Sequence, residues 1–266
     1  MDLLRTLDEL APHHGCGLVP TMGALHTGHL SLIEAMRRAC DDVVVTVFVN
    51  PTQFDDPSDL ERYPRTLEQD LEACANAGAT AVFAPDRDTV YPPDETVWMP
   101  PLPAVARRPG LEDTCRPGHF EGVCTVVARL FDLAVPSHAI FGEKDWQQML
   151  VLEAMVAEHA DRWNGLRLLR GPTVREADGL AMSSRNTRLA AADRKRALGL
   201  SRALAKAGEG EAVMRAVLDE HGLETEYAVI RDARTLEPVD PDSDAPARAL
   251  IAARLDEVRL IDNAPA

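Results

Sequence analysis

The stretch Val19-Pro20-Thr21-Met22-Gly23-Ala24-Leu25-His26-Thr27-Gly28-His29-Leu30 decides the fold. Leu18-Val19-Pro20 reads as the end of a short buried strand. Beyond His29 the apolar positions Leu30, Ile33 and Met36 return at helical spacing, with Ala35 and Ala39 beside them. Two histidines three residues apart, with a glycine between, therefore fall where a strand turns into a helix. A helix N-terminus offers unpaired backbone N–H groups and the positive end of a dipole, which suits a phosphate. Gly23 and Gly28 let backbone and ligand approach closely. Two loop histidines beside ordinary turn glycines are the competing account, and this string by itself leaves both open.

Working outward, Leu3, Leu4, Leu7 and Leu10 fit one face of a helix before the break at Pro12 and Gly15. On the other side, Asp42 leads into Val43-Val44-Val45-Thr46-Val47-Phe48-Val49. Such a β-branched run is the pattern of a strand covered on both faces of a parallel sheet. It ends in Asn50-Pro51-Thr52-Gln53-Phe54, polar amides just past the carboxyl end, where open α/β sheets place ligands. Turn chemistry accounts for Asn50 and Gln53 equally well. Residues 55–65 are acidic and loop-like, and Tyr63-Pro64-Arg65-Thr66 closes them. Leu67 to Ala77 predicts a helix stopped by Gly78, and Ala81-Val82-Phe83-Ala84 another buried strand. The repeated alternation predicts an α/β fold with a Rossmann-like doubly wound parallel sheet.

Residues 85–118 are rich in proline and charge, a long excursion suited to a lid or a partner contact. It carries Arg107 and Arg108, read as solvated surface, and Arg116 just before His119. Thr125 to Leu133 is apolar at helical spacing. Ala139-Ile140-Phe141 predicts a strand that runs into Gly142-Glu143-Lys144-Asp145 and a helix from Trp146 to about His159, with Gln148 one turn in. Lys144 can reach a phosphate as a mobile point charge, while Asp145 is equally a natural N-cap. After a strand at Leu166–Leu169 the composition shifts near Val174. The expected division is therefore residues 1–173 as the larger domain and 174–266 as a smaller C-terminal α+β domain. The latter would hold helices near 193–207 and 210–221 and strands near 226–231, 249–254 and 257–261. Its Met182-Ser183-Ser184-Arg185-Asn186 segment is hydroxyl-rich and cationic, the chemistry needed to grip a pyrophosphate leaving group.

The chain has 266 residues, 45% of them hydrophobic, with 28 basic against 43 acidic residues and a net charge of −15. That balance argues against nucleic acid or an anionic membrane as partner. A polyanionic substrate would need a local basic cluster working against the global field. The five cysteines are scattered, odd in number and in no C-x-x-C pair, as expected of reduced thiols in a cytoplasmic protein. No signal peptide is read at the N-terminus, and the apolar runs are too short to span a bilayer.

The polar groups at strand ends and helix starts form a set: His26, His29, Asn50, Gln53, Lys144, Asp145, Gln148, Ser183, Ser184 and Arg185. No phosphate-binding Gly-x-x-x-x-Gly-Lys-Ser/Thr loop, no Gly-x-Ser-x-Gly elbow and no zinc spacing is present. The set is rich in phosphate stabilisers and lacks an obvious nucleophile. Such a site aligns a substrate's own nucleophile on phosphorus and stabilises the charge that develops, which fits nucleotidyl transfer.

His26-Thr27-Gly28-His29 resembles the H-x-G-H signature of the nucleotidyl-transferase superfamily shared with class I aminoacyl-tRNA synthetases. Several further blocks occur in the order found in the pantothenate synthetase (pantoate–β-alanine ligase) family: Val19 to His26, Phe48 to Phe54 and Tyr63 to Thr66. Further along come Arg116-Pro-Gly-His-Phe120, Phe141 to Asp145 with Gln147-Gln148, Met182 to Asn186, and Leu260-Ile-Asp-Asn263. The blocks span nearly the whole chain. The resemblance implies that the carboxylate of pantoate attacks the α-phosphorus of ATP, releasing pyrophosphate. The amine of β-alanine then attacks the pantoyl-adenylate to give pantothenate and AMP. Mg²⁺ is expected with the phosphates, and a homodimer by family habit. Matched by position, Met22, Gly23, Ala24, Leu25, His26, Thr27, Gly28 and His29 would meet ATP. The two histidines would lie on the reacting phosphate, with His29 the family's proton donor. Gln53 and Gln148 would hold pantoate, with Gln53 bordering β-alanine. Gly142, Glu143, Lys144, Asp145 and Val174 would frame the nucleotide, Lys144 on phosphate and Asp145 on ribose. Met182, Ser183, Ser184 and Arg185 would close over the phosphates. The catalytic set is then His29, His26, Lys144 and Arg185.

Two other readings fit fewer residues. A nucleotidyltransferase of the same fold with a stable adenylylated product has no need of the Gln53 and Gln148 pair. A nucleotide-binding scaffold without activity predicts the loss of at least one phosphate group, and none of His26, His29, Lys144, Ser184 or Arg185 is missing. The segment before Val19 is short for the family, so a curtailed first edge strand is expected.

Overall fold

Strand Val43–Val47 illustrates why the chain layers as it does, because Val44 turns to one side while Val43 and Val45 turn to the other, and all three are fully buried. A computed structural model describes residues 1–53, 60–240 and 244–266; Phe54 and residues 55–59 of the acidic stretch lie outside the described residues. Six strands, Asp2–Leu4 (β1), Gly17–Thr21 (β2), Val43–Val47 (β3), Ala81–Phe83 (β4), His138–Gly142 (β5) and Arg167–Gly171 (β6), make one sheet in the order β1-β4-β3-β2-β5-β6. Every pairing in it is parallel. The order turns back at β2, so the sheet is doubly wound about the strand that carries Val19.

Helices Thr27–Ala39 (α1) and Leu67–Ala77 (α2) supply Ile33, Met36 and Cys74 to the face shared with Val19, Val43, Val45 and Ile140. Helices His119–Ala134 (α3) and Trp146–Glu158 (α4) supply Phe120, Phe131, Leu152 and Met155 to the face with Leu18, Val44, Phe83 and Phe141. Gly78 ends α2 at φ +92°, as a C-terminal glycine should. α3 starts at His119, earlier than its apolar periodicity predicts, because Gly118 at φ +86° turns the chain into the helix ahead of the first apolar repeat.

The N-terminus departs from the helical reading. Leu3 and Leu4 lie in edge strand β1, with Leu4 buried against the core and Leu3 exposed. Only Leu7–Leu10 forms a helical turn, capped by Thr6 and Glu9. Four leucines at helical spacing are also two pairs split between a strand and a turn, and pairing with β4 decided between them.

A second compact unit comprises Lys144–Gln147 and Thr173–Ala266, the first being Met1–Glu143 with Gln148–Pro172. The second unit packs Ala191–Ala197 (α5), Gly199–Leu204 (α6) and Glu211–Glu220 (α7) on an antiparallel sheet. Its strands are Glu224–Asp232 (β7), Ala247–Leu255 (β8) and Val258–Pro265 (β9), in the order β7-β8-β9. Among the described residues no helix is long and apolar enough to cross a membrane.

Candidate active site

In the first unit, β2 delivers the chain to Met22 and α1 begins at Thr27 with His26 as its N-cap. The two imidazoles are stacked, ring centroids 4.0 Å apart and planes 22° from parallel. The His26 amide donates to His29 Nδ1 across a long 3.4 Å. A ring that accepts at Nδ1 carries its proton at Nε2 when neutral, so His29 presents a donor on its far nitrogen. By helix geometry the amides of Thr27 and Gly28 are not needed inside the helix and can face an anion.

The loop between β2 and α1 is held from behind by a residue the sequence reading did not single out. Asp70, 2% exposed on the first turn of α2, accepts the Ala24 amide at 3.0 Å, the Leu25 amide at 2.8 Å and the Thr66 hydroxyl at 3.2 Å. Ala24 is in the left-handed region at φ +52°, a conformation that costs a non-glycine residue about 1–2 kcal/mol. Gly23 sits at φ +79°, where a Cβ would come within 2.9 Å of Val47 Cγ1 and 3.0 Å of Asp70 Oδ2. Asp70 thus fixes a strained turn directly ahead of the histidines. In the sequence it looks like any acid in a helix's first turn, so only its spacing from Thr66 could have marked it.

Past the end of β3, Asn50 is fully buried and does structural work. Its Oδ1 accepts from Tyr91 Oη at 3.0 Å and Thr52 Oγ1 at 3.1 Å, while its Nδ2 donates to the Gly122 carbonyl at 3.3 Å. Burial raises the Tyr91 phenol above its ordinary value, so it stays a donor. The Gln53 carbonyl accepts from Arg116 Nη2 at 3.2 Å, and His119 Nδ1 lies 3.4 Å from the same oxygen. Pro51–Gln53 lies so close to α3 that a Cβ on Gly122 would fall 2.2 Å from the Thr52 carbonyl oxygen. The Arg116 to Phe120 block therefore serves, in part, to set the backbone of Gln53. Gln148 stands half-buried on the first turn of α4. Gly142 closes β5 in register with Gly171, and Glu143 begins the turn that follows. Arg107 and Arg108 are exposed.

In the second unit, Lys144 Nζ lies 3.2 Å from Asp145 Oδ1. Val174 and Met182 are brought together, the Met182 amide donating to the Val174 carbonyl at 2.9 Å beside an Arg175–Ala181 bridge. Ser183 caps the turn Ser184–Arg188, its hydroxyl accepting the Arg185 amide at 3.3 Å. Asn186 is buried and donates to the Ala181 carbonyl at 2.9 Å and Glu176 Oε1 at 2.7 Å. These bonds hold the start of the Met182 to Arg185 segment against the chain at Val174 and Arg175. Asp262, nearly inaccessible, takes Arg175 at 2.6 and 2.9 Å. The Asp-Asn pair near the C-terminus, quoted above only as a motif, thereby acquires a physical task. Among the described residues no group of three His, Cys, Asp or Glu side chains is placed to hold a metal ion.

Comparison with known proteins shows the family of the chain. The family profile described as pantoate-beta-alanine ligase matches residues 2–265. A pantothenate synthetase of Nocardioides sp. is 50% identical, over 94% of this chain and 78% of its own length. One of Ruegeria sp. is 48% identical over 99% of this chain and 96% of its own. The crystal structure of pantothenate synthetase from Thermus thermophilus superposes with a TM-score of 0.89 at 43% identity, covering 99% of each chain. That of pantoate-beta-alanine ligase from Francisella tularensis, complexed with beta-gamma ATP and beta-alanine, gives 0.81 at 30% identity, covering 100% of this chain and 97% of its own. A match of the family profile from the second residue to the penultimate one, with relatives about half identical along nearly the whole chain, leaves one conclusion: the chain belongs to the pantoate–β-alanine ligase family.

Proposed function

We propose that this protein joins pantoate to β-alanine at the expense of ATP, through a pantoyl-adenylate, releasing pyrophosphate and then AMP and forming pantothenate. The observation that carries the residue assignment is the stacked His26–His29 pair at the start of α1. In this reading the two imidazoles and the first-turn amides of α1 address the α-phosphate, with His29 Nε2 as proton donor. Met22 to Leu25 line the nucleotide. From the second unit, Lys144 neutralises phosphate charge and Asp145 meets the ribose. Gly142, Glu143 and Val174 border the nucleotide, while Met182, Ser183, Ser184 and Arg185 hold the departing pyrophosphate. In-line displacement at phosphorus spreads negative charge over oxygens, so cationic and N–H donors lower the transition state more than the ground state.

Gln53 and Gln148 take the pantoate, and Gln53 borders the β-alanine position. Neutral amides orient a carboxylate without a guanidinium's bidentate grip, so its lone pair stays available for attack. Magnesium, a hard cation that prefers phosphate oxygens and water, would enter on the triphosphate, which fits a donor set with no three-residue protein cage among the described residues. A homodimer, a cytoplasmic setting and a division of the chain into domains 1–173 and 174–266 complete the reading.

The test is pyrophosphate release. With ATP and pantoate and no β-alanine, a burst equal to the enzyme present is expected, followed by turnover once β-alanine is added. His29→Ala and Lys144→Ala should each remain folded and lose adenylate formation by about 10²-fold or more. Turnover like that of the parent in either variant removes that residue from the mechanism.

A further inference from the structure

Lys144 is preceded by strand β5 of the first unit, yet its main chain is fastened to the C-terminal sheet. Asn263, on β9 and 4% exposed, donates from Nδ2 to the Lys144 carbonyl at 2.7 Å. The orientation of that amide is itself fixed. Arg248, on β8 and 8% exposed, donates from Nε to Asn263 Oδ1 at 2.6 Å. A flipped amide would set its NH₂ against a guanidinium and its oxygen against a carbonyl. Arg248 is held in turn by stacking, its guanidinium carbon 3.4 Å from the centre of the Trp146 ring. The Trp146 indole N–H donates to the Ala233 carbonyl at 3.1 Å. The neighbouring Asp262 holds Arg175, the residue after Val174, so one strand end secures both segments assigned to the nucleotide.

We infer that Asn263, locked by Arg248, is a positioning residue for Lys144. It sets the main chain from which the lysine side chain projects, and it acts on the nucleotide only through that lysine. The inference rests on the reading of Lys144 as a phosphate ligand. Chemistry supports an amide here over its nearest isostere. An aspartate at 263 would still accept from Arg248 but would turn a second acceptor toward the Lys144 carbonyl.

The experiment is a double-mutant cycle on ATP affinity, read by NMR titration of the full-length protein so that millimolar dissociation constants are measurable. The parent, N263A, N263D, K144A and K144A/N263A are compared, with circular dichroism confirming the fold of each. N263A and N263D should each weaken ATP binding by about five- to tenfold, the scale of one hydrogen bond and the buried carbonyl it leaves behind. In the K144A background N263A should change affinity by less than about twofold. Equal losses in both backgrounds, or none with Lys144 present, would overturn the inference. The two readings fail separately: K144A binding ATP as the parent does sinks the phosphate role of Lys144. A weakened K144A with a silent N263A sinks only the positioning role.

Discussion

Asp70→Asn replaces one oxygen of a buried carboxylate with an NH₂ group and changes almost nothing in volume. Both carboxylate oxygens are in use, Oδ2 for Ala24 and Thr66, Oδ1 for Leu25. Whichever way the new amide turns, one backbone N–H loses its acceptor and meets another donor. A hydrogen bond to a charged acceptor contributes about 1.5–3 kcal/mol, and a buried donor left unmet costs on the same scale. The left-handed Ala24 adds strain that favours release of the turn once a bond is gone. A loss of about 2–3 kcal/mol follows, equivalent to roughly 30- to 140-fold at about 1.4 kcal/mol per tenfold. If the loop alone gives way, the loss appears as a higher KM for ATP in pantoate-dependent pyrophosphate release. If the loop pulls the whole unit with it, the loss appears as a lower urea midpoint at unchanged slope. Both measurements are made on the same variant. An Asp70→Asn protein with parental KM for ATP and parental urea midpoint would refute the claim that this carboxylate holds the turn.

Two further outcomes test other parts of the structure. Gly122→Ala drives a methyl group into the Thr52 carbonyl and must shift the Gln53 turn. About 10- to 100-fold is expected to be lost in kcat/KM for pantoate, and an unchanged value would detach that turn from the pantoate site. Burial pushes the thiols of Cys16, Cys74 and Cys124 up to about 12. At pH 8 only about 10⁻⁴ of each is thiolate, so a disulfide reagent should label the native protein at Cys40 and Cys115 alone and reach all five in denaturant. Rapid native labelling of any buried thiol would show that its surroundings open.

The parallel sheet and the histidine turn were legible because their signals are local. Val43–Val47 reads as a two-sided strand wherever it stands, and Gly78 ends α2 by its own conformational freedom. The supports were not legible, because each depends on a partner far along the chain. Asp70 lies 46 residues from Ala24, and Asn263 lies 119 from Lys144. Apart from the spacing of Asp70 from Thr66, nothing in the local string around Asp70 or Arg248 distinguishes a buried anchor from a surface charge. Asn50, balanced in the sequence between ligand contact and turn chemistry, is a fully buried strut for the Gln53 turn. The leucines at the N-terminus misled for the opposite reason: their helical spacing is a strong local signal that a long-range strand pairing overrode.

The fastening of Lys144–Gln147 to the C-terminal sheet also governs how the protein tolerates truncation. A fragment ending at Pro172 would keep the indole of Trp146 but lose Arg248 from its face and the Ala233 carbonyl from its N–H. It would expose an aromatic surface at the head of α4 and release the main chain of Lys144 from its anchor on Asn263. Proteolytic clipping between β6 and Val174 would therefore spread its damage upstream, to residues more than two dozen positions before the cut.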